Sequence, residues 1–117
     1  MREIRLIQIQ TIYAKNEPLH TYLKSISLNK QSNIFFMEAG SDITTNVFML
    51  SESGHLFKFV IENGKYHSIR LDDPLLLADV IRITEQTVYS RKYPYYEDTL
   101  KQIKHSLNYT PRSQGLF

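Results

Sequence analysis

The chain has 117 residues, 42% hydrophobic and 22% charged, with a formal net charge of +2 and no cysteine. That is the length of one domain with enough apolar mass for a single core; it excludes a disulfide framework and thiolate chemistry, and so small a charge does not by itself point to nucleic acid. No basic start precedes a long apolar run, and stretches such as Leu75–Ala78 fall far short of the ~20 residues of a membrane span, so no export signal, no membrane partner and a cytoplasmic location are expected.

Residues 3–13 (EIRLIQIQTIY) are rich in β-branched residues and predict a first strand. Ile4 and Leu6 alternate with charges, then Ile7 and Ile9 with glutamines, so the phase changes at Leu6-Ile7. A bulge or burial on both faces would account for that. Asn16-Glu17-Pro18 is a helix start, with a capping side chain, an acid and an early proline. Leu19, Tyr22, Leu23 and Ile26 then make one apolar stripe, ending near Leu28-Asn29. Ile34–Glu38 reads as a short aromatic strand, and Ile43 as the start of a strand that runs on to Leu50.

Three strands joined by tight turns follow from Asn46 to Leu71, with Ser51-Glu52-Ser53-Gly54 and Asn63-Gly64 as the turns. A two-residue turn at Asn63-Gly64 pairs Phe57 with Arg70. A three-residue loop with Gly64 as a bulge pairs Phe57 with Ile69 and collects the apolar residues on one face. The second register is expected on that ground. Asp72-Asp73-Pro74 starts another helix, whose inner face holds Leu77, Val80, Ile81, Thr84 and Val88, widened by Leu76 and Ile83. Leu77, Val80 and Ile81 are expected to pack on the sheet face bearing Phe57, Phe59 and Ile61. Pro94 breaks the pattern, and a last helix carries Tyr96, Leu100, Ile103 and Leu107 inward, with Glu97 and Lys101 spaced as a supporting pair.

The fold class is therefore α+β: an antiparallel sheet of four to five strands, in the order β-α-β-β-β-β-α-α, with helices packed on one face. One domain is expected over residues 1–108, with residues 109–117 a flexible tail.

His20, His55, His67 and His105 show no metal-ligand spacing, so neither a metal nor another cofactor is expected. Asp72 and Asp73 read as capping residues rather than a catalytic pair. Ser51-Glu52-Ser53-Gly54-His55 puts serine beside histidine, but a turn explains the same residues.

The compositional anomaly is Tyr89–Tyr96, YSRKYPYY. From residue 89 onward 5 basic residues face 2 acidic ones, a net +3, against 9 basic and 10 acidic before it, a net −1. Tyr89, Arg91, Lys92, Tyr93 and Tyr95, with Arg82 on the helix before them, form the candidate binding patch, because tyrosine and arginine make binding hot spots. The alternative is an inter-helix corner in which Tyr96 and Tyr93 plug the core and the basic residues are a solvated face.

The residues point first to a small non-enzymatic protein-binding module, of the kind of a bacterial or phage inhibitor, immunity or accessory protein. The second reading is a nucleic-acid-associated accessory protein using the basic, tyrosine-rich C-terminal end. A third is an enzyme with a site around His55 and Glu52.

Overall fold

The computed structural model describes residues 3–26, 33–43 and 46–107. The elements are β1 (Ile4–Ile7), α1 (Ile9–Lys15), α2 (Glu17–Ser25), β2 (Ile34–Glu38), β3 (Val47–Leu50), β4 (Leu56–Glu62), β5 (Lys65–Leu71), α3 (Pro74–Tyr89) and α4 (Tyr96–Ser106). The strands form one five-stranded sheet in chain order, each antiparallel to the next. Class and element order are those read from the sequence, with the first helical position divided into α1 and α2. Among the described residues no helix is long and apolar enough to cross a membrane.

The expected helical layer on one face is α3 with α4. Leu76, Val80 and Ile81 of α3 and Tyr96, Leu100 and Ile103 of α4 pack on Ile34, Phe36, Phe48, Leu50 and Leu56. A second, smaller layer lies on the opposite face. There Ile12 of α1 and Leu19 and Leu23 of α2 meet Phe35, Val47, Met49 and Phe59. β2 and β3 are thus covered on both sides, and Ile34, Phe35, Phe36 and Val47–Leu50 are all buried.

Four expectations are corrected. The strand predicted over residues 3–13 ends at Ile7, and the chain turns into α1. Ile7 at the phase change points into the second layer, and a helix from Ile9 carries Ile12 into the same cluster. Tertiary burial here overrides the β propensity of the run. Asn16 then ends α1 and caps α2, its side chain accepting the Leu19 N–H at 3.1 Å.

The hairpin register is also corrected. Glu62 pairs with Lys65, Ile61 with Tyr66 and Phe57 with Arg70, so the turn has two residues. Asn63 and Gly64 both have positive φ, 54° and 75°, as a type I′ turn requires. Gly64 is left-handed as expected, but not as a bulge. The turn that matches strand twist prevails over a single apolar face, and it leaves Ile61 and Ile69 exposed on opposite faces of the hairpin. Ser68, opposite Phe59, bonds the Tyr22 hydroxyl at 2.8 Å, and the Tyr66 hydroxyl accepts from Asn16 Nδ2 at 3.0 Å.

Thirdly, α3 packs on the face opposite Phe57 and Phe59, and Leu76 rather than Leu77 is its first fully buried residue. Phe57 and Phe59 belong to the α1–α2 side. Lastly, β3 begins at Val47, not at Ile43. The expected end of the first helix near residues 28–29 and the tail over residues 109–117 lie outside the described residues.

The termini of the last two helices follow the sequence closely. Asp73 caps α3, its carboxylate accepting the Leu76 N–H at 3.0 Å. The inner face of α4 is Tyr96, Leu100 and Ile103, with Leu107 packed beside them. The Glu97–Lys101 pair forms at 3.9 Å between two exposed side chains.

The position of Leu76 gives a direct check. Leu76→Ala is expected to lower stability by roughly 2–5 kcal/mol, as large-to-small changes in a core do. Leu75, 80% exposed, should tolerate Ala within about 0.5 kcal/mol. Chemical denaturation of the two variants reads the helix face, and a larger loss at Leu75 would reverse it.

Candidate functional site

α3 ends at Tyr89 in a helix stop that normally uses glycine. The Arg91 N–H bonds the Val88 carbonyl at 3.0 Å and the Lys92 N–H bonds the Thr87 carbonyl at 3.3 Å. Those two bonds define a Schellman motif, and the residue in its left-handed position is Arg91, φ 60°. A residue with a Cβ is strained there, by about 1–2 kcal/mol. Pro94 follows, and the Tyr96 and Glu97 N–H groups bond the Tyr93 and Pro94 carbonyls as α4 begins.

Tyr96 anchors this corner, being only 4% exposed. Its ring meets Tyr95 at 4.7 Å and Tyr93 at 5.9 Å between centroids. Burial pushes its phenol pKa well above the usual tyrosine value. The neighbouring Tyr95 adds to the shift through charge and a side-chain hydrogen bond, and Tyr93 through charge.

The six candidate residues divide around that anchor. Tyr89 is 75% exposed and Tyr95 46%, and Arg91 and Lys92 are exposed as well. Tyr89 and Arg91 line one open groove together with Val88, Pro94 and Glu97. Tyr93 is half-buried against the core cluster. Arg82 is exposed two turns before Tyr89 and pairs with Asp79 at 3.3 Å.

Pairing narrows the positive charge. Lys101 is held by Glu97 and Lys104 by Glu85, which ties α4 to α3. Arg112 lies outside the described residues. Among the described residues Arg91 and Lys92 form no ion pair. The sequence does not mark Val88, Pro94 and Glu97 as site residues: it places Val88 on the inner face of the helix, Pro94 at the break that restricts this corner, and Glu97 in a supporting pair with Lys101. The signal for Glu97 was its place in the first turn of a helix that Pro94 brings back beside α3.

Elsewhere the polar side chains serve local structure. Around the β3–β4 turn the Ser51 and Ser53 hydroxyls bond each other at 2.8 Å, and Ser53 reaches His55 Nδ1 at 3.3 Å. Ser51 Oγ also accepts the His55 N–H. Gly54 is left-handed, φ 87°, with Leu107 so close that a Cβ would stand 2.7 Å from it. These bonds use the serines and the histidine to close the turn. Among the described residues no group of three or more His, Asp or Glu side chains could hold a metal ion.

No protein-family model, curated protein or solved structure matches this chain.

Two expected outcomes follow from the corner. Arg91→Gly should stabilise the fold by roughly 0.5–1 kcal/mol, because glycine takes the left-handed position without the Cβ penalty; a loss of stability in denaturant would mean the stop is not left-handed. The second concerns Tyr96. Its folded-state pKa lies above the unfolded value of about 10, so its contribution is complete below that pH and is lost as pH rises past it. Tyr96→Phe should flatten the fall in stability above about pH 10, measured by denaturation across the alkaline range; a fall as steep as in the native chain would assign it to other groups.

Proposed function

We propose that this protein is a small non-enzymatic binding module that acts by protein–protein contact in the cytoplasm. In kind it fits a bacterial or phage inhibitor, immunity or accessory protein. Its contact patch comprises Tyr89, Arg91, Lys92 and Tyr95, with Arg82 at its margin and Tyr93 supporting it from the core side.

The observation that carries this reading is Arg91. A bulky cation occupies a backbone position where glycine would be unstrained, and it has no ion-pair partner among the described residues. Local rules are broken at functional sites more often than elsewhere, because stability is given up there for what the side chain does. Beside it stands Tyr89, large and open to solvent, in the same groove. Exposed tyrosine with arginine suits a protein hot spot. Two unpaired cations favour acidic groups on the partner.

Nucleic acid is the alternative reading. Two unpaired cations beside Glu97 make a poor phosphate track, since each phosphate neutralised contributes about one unit of salt slope.

The test is the double variant Arg91→Ala with Lys92→Ala. Stability should stay within roughly 0.5 kcal/mol of the native chain. Capture of a partner from native extract should weaken about tenfold or more, equivalent to ~1.4 kcal/mol. For a protein partner the capture survives nuclease treatment; for nucleic acid it disappears with nuclease and depends steeply on salt. Unchanged capture by the double variant would remove the patch from the reading.

A further inference from the structure

The two edges of the sheet differ. β1 has four residues, and α3 packs against it. β5 has seven residues, Lys65–Leu71, with no proline and no bulge in its pairing with β4. It is the last strand of the sheet, and among the described residues nothing pairs with its outer side. Lys65, His67, Ser68, Ile69 and Arg70 are all exposed. Monomeric proteins usually blunt such an edge by shortening, kinking, covering or charging it, and of these β5 carries only the charges of Lys65 and Arg70.

The register states which backbone groups are free. Glu62 and Lys65 close a two-residue turn, so they exchange ladder bonds, as does every second pair after them: Val60–His67, Lys58–Ile69 and Leu56–Leu71. The N–H and C=O groups of Tyr66, Ser68 and Arg70 therefore point outward. Each is a strong hydrogen-bonding group.

We infer that β5 is a self-association edge, which pairs antiparallel with β5 of a second copy of this chain about a two-fold axis at Ser68 to make one continuous sheet. In that register Ser68 faces the partner's Ser68, and Tyr66 faces the partner's Arg70. All three outward-pointing residues bond across the edge. Moving the axis to His67 or Ile69 leaves one of the three without a strand partner. The side chains fit the same register. Arg70 meets a tyrosine ring, a favourable cation–π pair. Ile69, 46% exposed, gains cover from the partner's His67. No like charges stand opposite, and Lys65 reaches the end of the partner strand, where Asp72 and Asp73 follow. This self-complementarity is what selects a second copy over a foreign strand. The contact is smaller than the roughly 1,600 Å² of a standard interface, so the dimer is a weak one.

Sedimentation of the full chain is the first measurement. The mass should be near 13.8 kDa when dilute and move toward twice that near about 1 mM. Ile69→Lys with His67→Lys places like charges opposite each other at exposed positions, and should hold the chain monomeric throughout. The axis is tested separately, since the chain has no cysteine. Ser68→Cys should cross-link to a dimer under mild oxidation, because directly opposed residues match disulfide geometry. Lys65→Cys should not, since its own copy lies about 20 Å along the strand pair. A native chain that stays at the monomer mass near 1 mM, a dimer unaffected by the two lysines, or equal cross-linking at both cysteines would overturn the inference.

Discussion

Burial of β2 and β3 on both faces is the constraint on which the rest of this structure depends. Ile34, Phe36, Phe48 and Leu50 need one helical layer, and Phe35, Val47 and Met49 need another. α3 and α4 supply the first. The two short helices α1 and α2, of 7 and 9 residues and joined at Asn16, supply the second. The β1 strand stops after four residues because the chain must pass to the other side of the sheet to provide that cover.

Asn16 joins this second layer to the hairpin. Its backbone closes α1, its carbonyl oxygen caps α2, and its amide nitrogen donates to the Tyr66 hydroxyl on β5. Tyr22 makes a parallel link to Ser68 and stacks near Tyr66. Ser68 and Tyr66 on β5 thus stand opposite Phe59 and Ile61 with their hydroxyls bonded by helix side chains. Among the described residues no buried side-chain nitrogen or oxygen is left without a partner.

The corner between α3 and α4 shows the opposite economy. Tyr96 is held by burial and two neighbouring rings, which fixes the start of α4. On that fixed base Arg91 occupies a strained backbone position with its charge unpaired. The same loop shows how pairing redistributes charge: among the described residues the basic excess at the C-terminal end reduces, once Lys101 and Lys104 are matched to Glu97 and Glu85, to Arg91 and Lys92.

By itself the sequence determined what depends on neighbours along the chain. Asp73 and Pro74 start α3, Pro94 separates it from α4, and Tyr96, Leu100 and Ile103 mark an inner face, because caps, breakers and helical stripes act within a few residues. Exposure of Tyr89 was legible too, since it stands off the α3 stripe. Only the tertiary structure decided the quantities that depend on what lies across the sheet. The unbroken apolar runs Ile34–Met37 and Val47–Leu50 carried the signal for two layers, but not which helix would cover which face. The register of β4 with β5 follows from that, for a one-face apolar pattern constrains a strand only where one face is buried. The helix over Ile9–Lys15 was hidden for the same reason: its β-branched residues favour a strand locally, and the burial of Ile12 beneath a distant part of the sheet outweighs them. The unpaired state of Arg91 and Lys92 was equally out of reach, because partners such as Glu85 are found in space rather than in order.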